Sequence, residues 1–244
     1  QNRAANQRVD FRGKPGVNAL GFETTFVVDG QSFQALQRLG ISLGFDDQRQ
    51  RVIDHGFHSD AQIGAATQTE YKYRGDRYLL GDAFDIRTAC DQNDVEKNLR
   101  QLREARRQAD WLIVSLHSQD LIGRSWLTAK KRTEVTEQPD FVRDFAHRCI
   151  DAGADVFACH GPHLLMGIEI YRGKPIFYSL GNLMMQNETL NHLPAYPFDR
   201  FGLDARATPA DFFDHRTGNG TKGHPASPEF WQSVAALCRF DKRE

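Results

Sequence analysis

Two short apolar runs, "WLIVSLH" (residues 111–117) and "DVFAC" (155–159), stand on either side of a helical stripe. This pattern constrains the fold more than anything else in the chain. The first run is nearly continuous, as expected of a strand covered on both faces. Between the runs, Pro139 suits a first helical turn. Phe141, Val142, Phe145, Cys149 and Ala152 then share one helical face, and Gly153 closes the helix. Strand, helix and strand at this spacing make a βαβ unit with two parallel strands. The chain is therefore read as α/β. Its 244 residues suffice for a substantial core, and residues 1–244 are read as a single domain.

The rest of the chain is patterned less strongly. Residues 1–20 are polar and read as an extended lead-in. "GFETTFVV" (21–28) is strand-like. Asp29 suits the cap of a short helix with Phe33, Leu36 and Leu39 on one face and Gly40 at its end. Residues 44–76 read as a loop or insertion. "RYLLGDAFDIRT" (77–88) reads as strand with a turn at Gly81-Asp82. Asn93 and Glu96 have capping-box spacing ahead of a stripe of Val95, Leu99, Leu102 and Ala105. Residues 167–179 read as a hairpin turning at "RGKP". Residues 186–230 form an irregular insertion, and "SVAALCRF" (233–240) reads as a last strand.

Composition excludes several roles. The formal net charge is −1 and no long run of like charge occurs, which argues against nucleic acid or an anionic membrane surface as the main partner. No apolar stretch is long enough to span a membrane. Gln1 onward shows no signal-peptide pattern. The four cysteines, Cys90, Cys149, Cys159 and Cys238, form no CxxC pair, so a cysteine-based zinc site is not expected, and Cys149 and Cys159 read as buried free thiols. No anchor is visible, which leaves cytoplasmic and cell-envelope locations both open.

His117 ends the first buried strand and His160 follows the second. In a parallel sheet the carboxyl ends of strands form the crevice where ligands sit. His163 comes three residues after His160, across Gly161-Pro162, a pair suited to a turn. Neutral imidazole is the commonest metal-binding side chain, so the three rings are candidates to converge on a metal. The HxxH spacing alone is a weak signal, and hydrogen-bonded surface histidines are the competing reading. His55 and His58 repeat the spacing in a polar segment and read as solvated. His192, His215 and His224 fall in the irregular region with no pattern. "FDRFGLD" and "DFFDH" read as core packing more readily than as a lid.

The residues "VSLHSQD" (114–120) and "GADVFACHGPHLLMGIEIYRGKPIFYSLGN" (153–182) resemble the bacterial capsule-synthesis CapA family of poly-γ-glutamate synthesis proteins. Its pattern runs through "SLHWG", "GADVVIGHHPH" and "EIYKGKPIFYSLGNF". The second block matches almost continuously, and the likeness covers most of residues 11–182. It implies a calcineurin-like metallophosphoesterase fold, a sandwich of two mixed sheets flanked by helices. It also implies that His117, His160 and His163 are metal ligands and that Asn182 supports the site. Glu169 and Tyr171 read as hairpin residues. Cys159 stands where the family has Gly, Gly161 where it often has His, and "HSQD" replaces "HWGxE". Asp120 reads as an exposed loop residue.

Family members also carry an early "GD" metal motif and an "NNH" motif with a catalytic histidine. Neither precedes the matching blocks here, and Asp82 in "GDAFD" reads as a turn residue. The catalytic residues are thus unknown and expected in a missing N-terminal segment. The domain is expected to be incomplete at the N-terminus and shortened at the C-terminus. Charge supports this: two dications about 3.5–4 Å apart need an anionic bridge that three neutral imidazoles do not supply. The resemblance implies two divalent ions (Mn, Zn, Fe, Mg and Ca are not distinguished) and a hydrolase-type reaction on a phosphoester, a peptide or a polyglutamate-like chain. Metal-dependent peptide epimerisation and a non-catalytic role beside a polymer synthase are the alternatives.

Overall fold

The computed structural model describes residues 3–5, 7–56, 67–187 and 189–241. The chain divides into two compact units, residues 1–110 with 121–154, and residues 111–120 with 155–244. Each holds one four-stranded mixed sheet.

In the first unit the strands are β1 (Phe22–Val28), β2 (Glu70–Tyr73), β3 (Asp76–Leu80) and β4 (Asp85–Cys90), in the order β2-β3-β1-β4. β1 runs parallel to β3 and antiparallel to β4. The bend at Gly81-Asp82 is present as expected. The strands around it do not pair with each other, however, because β1 lies between them. Asp82 is a bend residue, as the sequence suggested.

Asp29 caps α1 (Gly30–Ser42), accepting from the Ser32 N–H at 2.8 Å. The helix runs past Gly40, contrary to expectation. Gly40 is there for packing, since a Cβ on it would lie 1.7 Å from the Tyr71 hydroxyl oxygen. Phe33 is buried with Val28 and Tyr71, and Leu36 packs against them. Leu39 is exposed, so the expected stripe stops short of it.

The expected loop over 44–76 contains α2 (Phe45–Asp54) and β2. α2 buries no residue, so it has no apolar stripe to read. Polar contacts support it instead: Arg49 to Asp46, and the Gln50 amide to the Asp54 carboxylate. His55 is exposed at the end of α2, and His58 lies outside the described residues.

α3 (Gln92–Arg106) begins two residues earlier than the capping-box reading at Asn93 implied. Asp91 is the cap, accepting from the Asp94 N–H, and Val95, Leu99 and Leu102 are buried as expected. α4 (Asp140–Asp151) carries the predicted stripe, with Phe141, Val142, Phe145 and Cys149 buried. It packs on β4. The Phe141 N–H donates to Thr88 Oγ1, the Cys90 thiol donates to the Phe141 carbonyl, and Phe141 stacks on Phe22 at 4.0 Å.

The second unit holds β5 (Ile113–His117), β6 (Val156–His160), β7 (Ile168–Tyr171) and β8 (Lys174–Phe177), ordered β5-β6-β8-β7. β5 and β6 are parallel, as the βαβ reading required. Coverage of β5 on both faces is not observed. Ile113, Ser115 and His117 are exposed on alternate positions, because β5 is an edge strand with one open face. β7 and β8 form the predicted hairpin, turning at Arg172 and Gly173, both with positive φ. Tyr178 donates to Glu169 at 2.6 Å, a hairpin contact of the kind expected for that residue.

The irregular region contains α5 (Ala195–Arg200) and α6 (Pro209–Thr217). Phe198, Phe201 and Phe213 surround the buried Phe212 at 5.2–5.7 Å, which is core packing. Residues 233–240 form no strand. Only Ser233 bridges, to Gly181, and Leu237 is fully open to solvent. Beyond Ser233 the one further backbone bond to this region among the described residues is the Val234 N–H donating to the Leu180 carbonyl at 3.1 Å.

The fold is thus mixed α/β with two mixed sheets and flanking helices. Among the described residues no helix is long and apolar enough to cross a membrane.

Candidate functional site

The parallel pairing of β5 and β6 places Leu116 opposite Cys159 and His117 opposite His160. Paired residues on neighbouring strands point to the same face, so the two imidazoles emerge together at the carboxyl ends. Their Nδ1 atoms are 3.0 Å apart, with ring centroids at 4.9 Å and a near edge-on arrangement. His160 Nε2 is 3.1 Å from Ser115 Oγ, which sits two residues back on the same face of β5. Partial burial, and then the neighbouring His117, hold His160 below the ordinary histidine pKa. Both effects favour a neutral imidazole, the form that binds metals.

The turn after β6 needs its glycine. Gly161 has φ 124°, and a Cβ there would lie 2.6 Å from the Ser118 carbonyl oxygen. The Ser118 N–H in turn donates to the His160 carbonyl at 2.8 Å, tying the two strand ends together. Ser118 Oγ is buried without a hydrogen-bond partner among the described residues. Pro162 is fully buried, and His163 follows with φ 63°. A non-glycine residue in this region costs about 1–3 kcal/mol and is held only where its surroundings fix it.

Asn182 is what fixes it. Its Nδ2 donates to the His163 carbonyl at 3.2 Å and to the Phe230 carbonyl at 2.9 Å. With both donations committed to carbonyls, Oδ1 faces His163 Nδ1 at 2.8 Å. Nδ1 therefore carries a proton, and in the neutral ring it is Nε2 that keeps a lone pair. A metal-binding histidine is oriented in this way by a partner on its other nitrogen. Gly181 supports the placement: its φ is 79°, and a Cβ would collide with the Gln232 carbonyl oxygen.

The structure thus joins His117 to His160, and joins His163 to Asn182. It adds His224, whose ring centroid lies 5.5 Å from that of His163 and 4.4 Å from Phe230. His224 was not singled out in the sequence, where 60 intervening residues and the absence of a pattern concealed it. Asp120 is exposed. Among the described residues, no group of three or more His, Cys, Asp or Glu side chains is arranged to hold a metal ion.

The strand-end histidines, the "GPH" turn and the "LGN" asparagine occur in one mixed α/β fold and define a class. The profile of the family described as "Bacterial capsule synthesis protein PGA_cap" matches residues 36–187, more than half of the chain, and the chain belongs to that family. It is similar to uncharacterized protein y4sH of Sinorhizobium fredii, 29% identical over 251 aligned positions, which cover 100% of this chain and 49% of that protein. It is 37% identical over 92 residues to the PGA biosynthesis protein CapA of Bacillus subtilis, covering 37% of this chain and 21% of that one. A probable polyglutamine synthesis accessory protein of Mycobacterium tuberculosis is 38% identical over 99 residues, 41% of this chain and 23% of its own. The chain spans about half the length of the first of these relatives and less of the others.

Proposed function

We propose that the chain carries the histidine half of a metal-dependent, hydrolase-type site that acts in capsule or poly-γ-glutamate synthesis. One observation supports this most: two imidazole nitrogens face each other at the ends of adjacent parallel strands, 3.0 Å apart. Two nitrogens each about 2.0–2.1 Å from one cation are separated by roughly 3 Å at a right angle and slightly more in a tetrahedron. The pair therefore fits a shared cation with small movement. His163 is the third candidate ligand, through the Nε2 that its bond to Asn182 leaves free.

A bound dication supplies polarisation of a phosphoryl or carbonyl oxygen and a water that ionises near neutral pH. The chain's own residues have simpler tasks. His117 and His160 present ring nitrogens on one face, Ser115 orients His160, and Asn182 orients His163. A dinuclear centre also needs carboxylate ligands, and we assign these to sequence that the longer relatives have beyond this match.

The test is turnover of a phosphoester and of a γ-glutamyl oligomer by the purified full-length protein that contains this chain, with Mn²⁺ or Zn²⁺ and with chelator. Metal-stimulated cleavage that His117→Ala abolishes supports the reading. Metal binding without cleavage indicates a role beside a polymer synthase. Cleavage indifferent to both chelator and substitution overturns it.

A further inference from the structure

A cavity of about 610 Å³ opens in the second unit, between residues 187–191, one side of α6 and the turn that follows it. Sites for small molecules span about 300–1,000 Å³. Three carboxamides, Asn187, Asn191 and Asn219, and one carboxylate, Asp214, line it, and no lysine or arginine does. The side chains of these four make no hydrogen bond or ion pair among the described residues. Leu190, Pro209, Phe213 and Pro225 supply the apolar part of the wall. The chain links the cavity to the histidines: Pro225 follows His224, whose ring stands 5.5 Å from that of His163.

The wall is braced at several points. α6 starts at a reciprocal cap, where the Thr208 N–H and hydroxyl donate to Asp211 Oδ2 at 2.8 and 2.7 Å. After the helix, Gly218, Asn219 and Gly220 all have positive φ, a region that asparagine tolerates better than most residues. The Asn219 N–H donates to the Asp214 carbonyl at 2.8 Å. Thr217 Oγ1 donates to the Phe213 carbonyl and accepts from the Gly220 N–H. The Phe213 ring lies edge-on to the buried Phe212 at 5.2 Å. A wall fixed in this way lowers the ordering cost of binding.

The lining chemistry then selects the ligand. A polyanion finds no cation here and meets Asp214. An apolar molecule would strip water from four polar side chains and leave them without partners. An extended peptide is read through the free backbone groups of a strand edge, whereas α6 uses most of its own within the helix. A carboxamide both donates and accepts, and a carboxylate accepts. Their complement is a set of hydroxyls, each a donor and an acceptor, on a ring whose C–H face can lie against an aromatic side chain.

We propose that this cavity binds a neutral sugar, its hydroxyls shared among Asn187, Asn191, Asn219 and Asp214 and its C–H face against Phe213. The inference rests on the cavity lining and does not depend on metal chemistry at the histidines.

The experiment is saturation-transfer NMR on the full-length protein that contains this chain, with maltose, lactose and diacetylchitobiose as probes and trialanine and tri-γ-glutamate as competitors. The cavity predicts transfer to the ring protons of at least one sugar at millimolar concentration. Because the ligand is neutral, added salt leaves its affinity unchanged. Asn191 and Asp214 are both exposed, so substitutions there spare the core. Affinity should fall about tenfold or more in Asn191→Ala/Asp214→Ala, as expected for the loss of two hydrogen-bonding side chains. It should fall less in Asp214→Asn, which keeps an acceptor, and not at all in His117→Ala/His160→Ala. Circular dichroism confirms that each variant is folded, and Asn191→Ala alone serves if the double variant is not. Sugar binding unchanged in the cavity variants overturns the proposal. Displacement of the sugar by trialanine marks a peptide groove, and displacement by tri-γ-glutamate marks an anion site; either overturns it. If no sugar binds while the histidines still take metal, this inference fails and the metal reading stands.

Discussion

His163 donates through Nδ1 to Asn182 Oδ1 at 2.8 Å, and this bond sets which ring nitrogen is available. Removing it frees the ring to rotate and to change tautomer. Asn182→Ala is expected to weaken metal binding about 10–100-fold. It also unties two carbonyls, so a modest fall in stability accompanies it. Isothermal titration with Mn²⁺ or Zn²⁺, beside a urea titration, separates the two effects. Affinity unchanged from wild type shows that Asn182 has no part in presenting the ring.

Gly161→Ala tests the turn that carries His160 into His163. The substitution meets the Ser118 carbonyl and occupies a φ that alanine rarely adopts. A cost of about 1–3 kcal/mol or more is expected, read as a lower urea midpoint at unchanged m-value. Wild-type stability in this variant would mean that the strand ends can separate freely.

The thiols divide by burial. Desolvation pushes Cys149 up to about 12 and Cys90 up to about 11, and both side chains are closed to solvent, whereas Cys238 is exposed. The thiolate is the reactive form. Alkylation of the native protein at pH 8 followed by mass spectrometry is expected to mark Cys238, with Cys90 and Cys149 modified only after unfolding. Rapid native labelling of Cys149 would contradict the packing of α4.

Glu70 is held below its ordinary pKa chiefly by the fork of bonds from Arg77, Nε to Oε1 at 2.7 Å and Nη2 to Oε2 at 3.0 Å. Because the folded pKa is the lower one, the pair's contribution is complete above the unfolded value, near 4.3. It is lost as pH falls through the folded value. The pair is partly exposed, so its worth is about 1 kcal/mol or less. Arg77→Ala should lower the urea midpoint slightly at pH 7 and not at pH 2. An equal loss at both would place the effect in packing.

How far the sequence revealed the fold depends on how local each signal was. The β5 and β6 runs, the α4 stripe and the hairpin at Arg172-Gly173 were legible, because a strand end, a 3.6-residue period and a tight turn are each written in consecutive residues. α2 was not, since its support is polar and it buries nothing. The order of the first sheet was not, since placing β1 between β3 and β4 is a pairing choice that no short window contains. Residues 233–240 misled in the opposite way: alternation satisfies a strand pattern whether or not a neighbour exists. At the site, strand ends and motif pointed to His117, His160 and His163; the structure pairs the first two with each other and His163 with Asn182. His224 reached His163 only through the path of the chain after Gly181.

A divalent cation on His117 and His160, with His163 as candidate third ligand, is the proposal on which the rest depends. Its most direct test is metal stoichiometry by inductively coupled plasma mass spectrometry, after incubating the full chain with Mn²⁺ or Zn²⁺ and removing free metal. Bound metal is expected in the wild type, with its loss in His117→Ala and His160→Ala and a reduced amount in His163→Ala. A folded wild-type protein that retains no metal, or variants that retain as much as wild type, would contradict it.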